Sequence, residues 1–199
     1  MNRFTTALLG LATAGTLTAA QSCNFFTSTT STAMNNPEAL AKTGTVYDFT
    51  VKSITGKDVK LSQYQGKKLL IVNTASKCGF TPQYKELETL SKQYAGKVTV
   101  LGFPSNSFNQ ELASNSEVAS FCEKNFGVTF PLFETVSVKG DDAAPLYKFL
   151  ADKARNGGIS DAPNWNFCKY LVDENGHVLK FYPSKVTPLS PELLADISK

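Results

Sequence analysis

The 199 residues include four cysteines and one histidine, so an imidazole-built metal site has almost no material and sulfur chemistry comes first. Cys78 is the thiol best placed for it. It lies in Asn73-Thr-Ala-Ser-Lys-Cys-Gly-Phe-Thr-Pro-Gln-Tyr84, after the apolar run 68–73 and before Thr81-Pro82, where a proline at a first-turn position should open a helix. Open α/β sheets bind ligands at the carboxyl ends of their strands. A helix N-terminus favours an anion by roughly 0.3–1 kcal/mol, and by more when partly buried. A thiol at such a junction is favoured as thiolate, the nucleophilic form, and Lys77 sits beside it. The competing reading is a small buried side chain filling the core, the commoner fate of a free cysteine.

The elements that would hold Cys78 can be read on both sides of it. Residues 47–52 alternate aromatic and polar, reach a turn cluster at Ser53–Asp58 and resume at Val59-Lys60-Leu61, which predicts a β-hairpin. Residues 68–73 and 98–104 suit buried strands. Tyr84, Leu87, Leu90 and Tyr94 recur at helical spacing until Gly96. Ser114 can cap a helix with Val118, Phe121 and Cys122 on its apolar stripe. Residues 130–138 read as extended and 146–150 as helical. Strands at 167–172 and 178–182 flank the turn Asp173-Glu-Asn-Gly176, and Pro191 opens a closing helix. Strand and helix alternate, so an α/β domain is expected, a mixed sheet flanked by helices with an N-terminal hairpin.

Four blocks carry a dense resemblance to the glutathione peroxidase family: residues 73–84 as quoted, Leu101-Gly-Phe-Pro-Ser-Asn-Ser-Phe-Asn-Gln-Glu111, Val128-Thr-Phe-Pro-Leu-Phe133 and Trp165-Asn-Phe-Cys-Lys-Tyr-Leu-Val-Asp173. They occur in the family's order, and the resemblance covers roughly residues 45–199. The resemblance implies a thioredoxin-like fold and a thiol-dependent peroxidase that reduces hydrogen peroxide or organic hydroperoxides. Cys78 would be its peroxidatic cysteine, cycling through sulfenic acid, with Gln110, Trp165 and Asn166 around the sulfur. Amide NH₂ groups and an indole N–H are donors that stabilise a thiolate without adding a competing charge. Standing alone, the single Trp reads as core and the two amides as loop caps. No cofactor is implied.

The partners implied are a hydroperoxide and a thiol reductant, either glutathione or a thioredoxin-like protein. Arg3 and Arg155 are the only arginines, so no guanidinium set for the glutathione carboxylates is evident. Counting back from Phe130-Pro131, the resolving position of many Cys-type members falls on Glu123, with Cys122 one residue before it. One residue rotates a helical side chain by about 100°, so Cys122 reads either as core or as a resolving thiol freed by local melting. Ser105 and Ser107 stand in a loop one residue shorter than the family's, where a cysteine is common. Cys168 reads as packing and His177 as surface. A short 144–165 segment, lacking the insertion used for assembly in tetrameric members, predicts a monomer.

Alternative functions are an exported thioredoxin-like thiol–disulfide oxidoreductase, a copper-delivery protein, or a non-catalytic binding module on the same fold. The first needs a second cysteine in Cys-x-x-Cys, where Thr81 stands. The second needs two thiols and an imidazole together. Composition narrows the field further. With 42% apolar and 19% charged residues the chain is ordinary globular material, and a net charge of +3 gives no reason to expect nucleic acid or an anionic membrane as partner.

Arg3 and the uncharged residues 7–20 have the pattern of a secretory signal peptide, residues 1–20. A permanent span would need about 20 apolar residues. Cys23, after Ala20-Gln21-Ser22, resembles a lipobox cysteine, which would set the cut after residue 22 and anchor the protein by lipid. Residues 21–44 read as a flexible polar linker. An exported, periplasmic protein is expected, touching the membrane only through that lipid.

Overall fold

Two runs of apolar residues, Lys68–Thr74 (β3) and Val98–Pro104 (β4), pair in parallel with Lys68 opposite Val98 and Thr74 opposite Pro104. The computed structural model describes residues 44–199; the signal segment, most of the linker and Cys23 lie outside it. Lys169–Val172 (β5) lies antiparallel on the other side of β3, and Val178–Tyr182 (β6) antiparallel on β5, giving the order β4-β3-β5-β6. The expected N-terminal hairpin forms as a separate two-stranded sheet, Thr50–Lys52 (β1) with Asp58–Lys60 (β2).

Strand alternation separates two cores. Leu70 and Val72 of β3 join Tyr84, Leu87 and Leu90 of Gln83–Gln93 (α1), Val118 and Cys122 of Asn115–Phe126 (α2), and Leu193 and Ile197 of Pro191–Ser198 (α5). Leu69 and Ile71 join the other cluster, with Leu146, Tyr147 and Phe149 of Pro145–Leu150 (α3). Helices on both faces of a mixed sheet are the architecture expected. Ser114 caps α2 as read, in a reciprocal box with Glu117, and Gly127 ends it with φ 61°.

Three local details refine the sequence reading, and the last of them corrects it. Segment 130–138 is extended but makes only single bridges, Leu132 to Gly102 and Phe133 to Ser53. Gly102 is required there, because a Cβ would stand 2.7 Å from Leu132 Cδ2 and 3.0 Å from Phe130. A four-residue helix, Lys153–Asn156 (α4), capped by Asp152, is too short to show periodicity in the sequence. The strand expected from Phe167 starts only at Lys169, because Phe167 takes a left-handed φ of 64°.

Candidate active site

The site is built at the carboxyl edge of the parallel β3–β4 pair, where three loops meet. The first follows β3 and carries Cys78, which is 7% exposed. Its backbone N–H donates to Thr81 Oγ1 at 3.0 Å, and that hydroxyl donates to the Ala75 carbonyl at 2.9 Å, so Thr81 closes the loop from inside. The Phe80 N–H points at Cys78 Sγ, 3.4 Å away. Successive i+3 bonds, Thr81 to Cys78, Gln83 to Phe80 and Tyr84 to Thr81, run from the cysteine into α1. Cys78 therefore heads a tightened lead-in turn, while α1 itself begins at Gln83 with Pro82 as its cap, one position before the first-turn place expected for that proline.

The second loop follows β4 and presents Gln110. Asn109 adopts φ 57°, a conformation asparagine tolerates, and the Glu111 N–H is caught by Asn106 Oδ1 at 3.2 Å. Two bonds lay this loop against the first: Lys77 N–H to the Gln110 carbonyl at 2.9 Å, and Ser76 N–H to Glu111 Oε1 at 3.0 Å.

Trp165 and Asn166 come from the third loop, just ahead of β5. Asn73, the penultimate residue of β3, registers it: Asn73 Nδ2 donates to the Trp165 carbonyl at 2.9 Å, and the Asn73 carbonyl accepts from Phe167 N–H at 2.6 Å. Asn166 is fully buried and its Nδ2 donates to Gln110 Oε1 at 2.9 Å. Ser184 Oγ donates to the Asn166 carbonyl at 2.6 Å. Trp165 is 40% exposed and leans on Phe108, with ring centroids 5.3 Å apart. The single tryptophan is thus a rim residue. Beside it lies a groove of about 270 Å³ lined by Phe80, Asn164, Trp165, Pro183, Ser184 and Lys185. A more enclosed apolar cavity of about 220 Å³, lined by Val51, Phe103, Phe133 and Leu146, lies between the hairpin and α3 and holds none of the predicted site residues.

The structure joins Gln110 to Asn166 through their side chains and to the Cys78 loop through its backbone; it leaves the other two thiols among the described residues packed. Cys122 is fully buried on α2, and burial pushes its thiol up to about 11; the nearby Tyr84 hydroxyl acts the other way and the Glu111 charge adds to the rise. Cys168 is fully buried, its sulfur 3.5 Å from Asn164 Oδ1 and 3.6 Å from Ser184 Oγ. It fills the interior as expected, though from the loop end and not from an alternating strand position. His177 faces Asp173 at the β5–β6 turn, on the surface.

Sequence reasoning missed Asn73, Thr81, Glu111 and Lys169, which hold the loops without carrying the chemistry. Their shared signal is a polar residue within or beside a run that must be buried.

An α/β thiol protein with amide side chains gathered at the carboxyl edge of a parallel strand pair is the class this geometry defines. Known proteins narrow it. The glutathione peroxidase family model matches residues 46–151. A glutathione peroxidase homolog, BsaA of Halalkalibacterium halodurans, is 47% identical over 146 residues, 72% of this chain and 92% of that protein. The hydroperoxy fatty acid reductase gpx1 of Synechocystis sp. is 47% identical over 163 residues, covering 78% of this chain and 95% of its own. Among solved structures, Trgpx in its apo form superposes with a TM-score of 0.59 at 38% identity, over 78% of this chain and 97% of that one. The chain belongs to the glutathione peroxidase family, and its fold is thioredoxin-like.

Proposed function

We propose that this thiol-dependent peroxidase works through Cys78, with Gln110, Asn166 and Trp165 as the donors around its sulfur. The Cys78 thiolate gives an electron pair to the terminal peroxide oxygen, the O–O bond breaks, and alcohol or water leaves with a proton. The sulfur, oxidised by two electrons, becomes sulfenic acid. A reductant thiol then displaces water to give a mixed disulfide, and a second reductant thiol releases the Cys78 thiol again.

The observation that carries this reading is the bond from Asn166 Nδ2 to Gln110 Oε1. It engages one lone pair of Gln110 Oε1 and so orients the amide, leaving both Gln110 Nε2 hydrogens free to turn to sulfur or peroxide. A donor held in advance costs no reorganisation when charge develops on the leaving oxygen. Stopped-flow peroxide consumption by the wild type and by Cys78→Ser tests it: the variant loses the reaction, and an undiminished rate refutes the assignment.

The reductant is external in this reading. A thiol at about 11 holds roughly one part in ten thousand as thiolate at neutral pH, and Cys122 is sealed in the core, so it does not resolve the sulfenic acid while α2 is folded. The groove combines the apolar Phe80, Trp165 and Pro183 with Asn164, Ser184 and Lys185, a mixed lining that suits a protein surface, and the only arginine among the described residues, Arg155, lies over the Phe149 ring. We therefore place a thioredoxin-like dithiol protein ahead of glutathione, to be compared directly as electron donors. Export and lipid anchoring are proposed from residues 1–23 alone; fatty-acid labelling of the wild type but not of Cys23→Ala is the expected result.

A further inference from the structure

Glu111 is buried, 6% exposed, and forms no salt bridge among the described residues. Its Oε1 accepts two backbone hydrogen bonds, from Ser76 at 3.0 Å and from Leu112 at 2.8 Å. The first crosses from the Cys78 loop to the Gln110 loop. With the Lys77-to-Gln110 backbone bond at 2.9 Å it makes a two-rung ladder, 76–77 against 110–111. One rung is main chain and survives any side-chain change; the other is this carboxyl.

The second oxygen is equally informative. Oε2 is buried without a partner, as are Ser76 Oγ and, on the neighbouring strand and helix, Thr74 Oγ1 and Tyr84 Oη. A carboxylate oxygen left so costs far more than a carboxylic acid that keeps its proton. Burial pushes the Glu111 acid up from the usual carboxyl range, with the Ser76 and Leu112 hydrogen bonds and the Lys77 charge working against it.

We infer that Glu111 is a positioning residue: through one acceptor oxygen it fixes the Gln110 side chain relative to Cys78 Sγ. This rests on the reading of Cys78 and Gln110 given above. Two substitutions separate geometry from ionisation. Glu111→Gln keeps an acceptor at the Oε1 position and removes the ionisable proton, whereas Glu111→Asp keeps the carboxyl and withdraws it by one methylene, enough to break the rung.

The test measures two rates on each full-length variant, sulfenic acid formation by stopped flow and Cys78 alkylation by iodoacetamide. Alkylation needs the thiolate but no aligned donor for a leaving oxygen. Misplacing a catalytic group by about 1 Å costs on the order of 100-fold, so Glu111→Asp should slow the peroxide reaction about 10- to 100-fold while alkylation stays within about threefold. Glu111→Gln should stay near the wild type in both. Adding Glu111→Asp to Gln110→Ala should produce no further loss, since residues acting as a unit are not additive. Equal losses in both rates for Glu111→Asp, multiplicative losses in the double variant, or a Glu111→Gln as slow as Glu111→Asp would overturn the inference. An unimpaired Gln110→Ala single variant would instead overturn the reading of Gln110 on which it rests.

Discussion

Replacing Lys169 by methionine should change how the stability of the protein depends on pH, by an amount that follows from one buried amine. Lys169 lies in β5, fully buried, and its Nζ donates to the Phe167 and Val186 carbonyls, each at 2.7 Å. No carboxylate within salt-bridge distance compensates it among the described residues. Burial pulls it down from 10.5 to about 7, against smaller opposing effects of Cys168 and Glu86. In the unfolded chain the amine keeps its proton to about pH 10.5, while in the folded chain it is half lost at about pH 7. Between those values the unfolded state binds more protons, so stability rises with pH. Below about pH 6 both states are fully protonated, the cost of burying the cation is fully present, and the slope vanishes.

One pH unit with a full proton of difference is worth about 1.36 kcal/mol. From pH 7, where the folded amine is half protonated, to pH 9 the gain integrates to about 2 kcal/mol. Methionine matches the unbranched length and does not titrate. The wild-type unfolding free energy minus that of Lys169→Met, from urea titrations at pH 5 to 9, should be flat at the acid end and climb by about 2 kcal/mol between pH 7 and 9. Cys122 drives both proteins the other way above its ordinary thiol range, since its folded value is raised, and it cancels in the subtraction. A difference that stays level or falls between pH 7 and 9 would show that the buried amine is not the source.

Three other substitutions probe the frame and the site. Gly102→Ala should lower the denaturant midpoint by the equivalent of about 1–3 kcal/mol, because the new methyl meets Leu132 and Phe130 at 3.0 Å or less. Asn166→Asp replaces the donor facing Gln110 Oε1 by an acceptor, and stopped-flow sulfenic acid formation should slow at least about tenfold. Cys122→Ala should cost about 1–2 kcal/mol of stability from the cavity it leaves, while mass spectrometry after one equivalent of peroxide finds the same sulfenic acid lifetime as in the wild type; a lengthened lifetime would make Cys122 the resolving thiol.

Where burial alone decides conformation, the sequence is readable. The runs 68–73 and 98–104 are apolar because β3 and β4 are covered on both faces, and Ser114 with Glu117 marks the start of α2 because backbone donors there need partners. Reading fails at Phe167 and Cys168. Their residue types continue the pattern of β5, yet Phe167 turns left-handed, a strain of about 1–3 kcal/mol that no local preference predicts. Both of its backbone groups are held from elsewhere, the N–H by Asn73 and the carbonyl by Lys169. That turn lets Phe167 pack edge-on against Tyr84 in the core while Asn166 faces Gln110.

The same argument explains why the identity of the site residues was legible and their assembly was not. Each bond that gathers them joins residues far apart in the chain: 35 positions from Ser76 to Glu111, 56 from Gln110 to Asn166, 92 from Asn73 to Trp165. Closing such loops carries an entropic cost that a single exposed hydrogen bond does not offset. The bonds form because the sheet has already brought the strand ends together, and burial then makes each missing partner expensive. Asn73 shows the economy of this arrangement. At the end of an otherwise apolar strand its N–H, carbonyl and side-chain amide all serve residues 165–168, so one polar residue in a buried run sets the register of the loop that carries both Trp165 and Asn166.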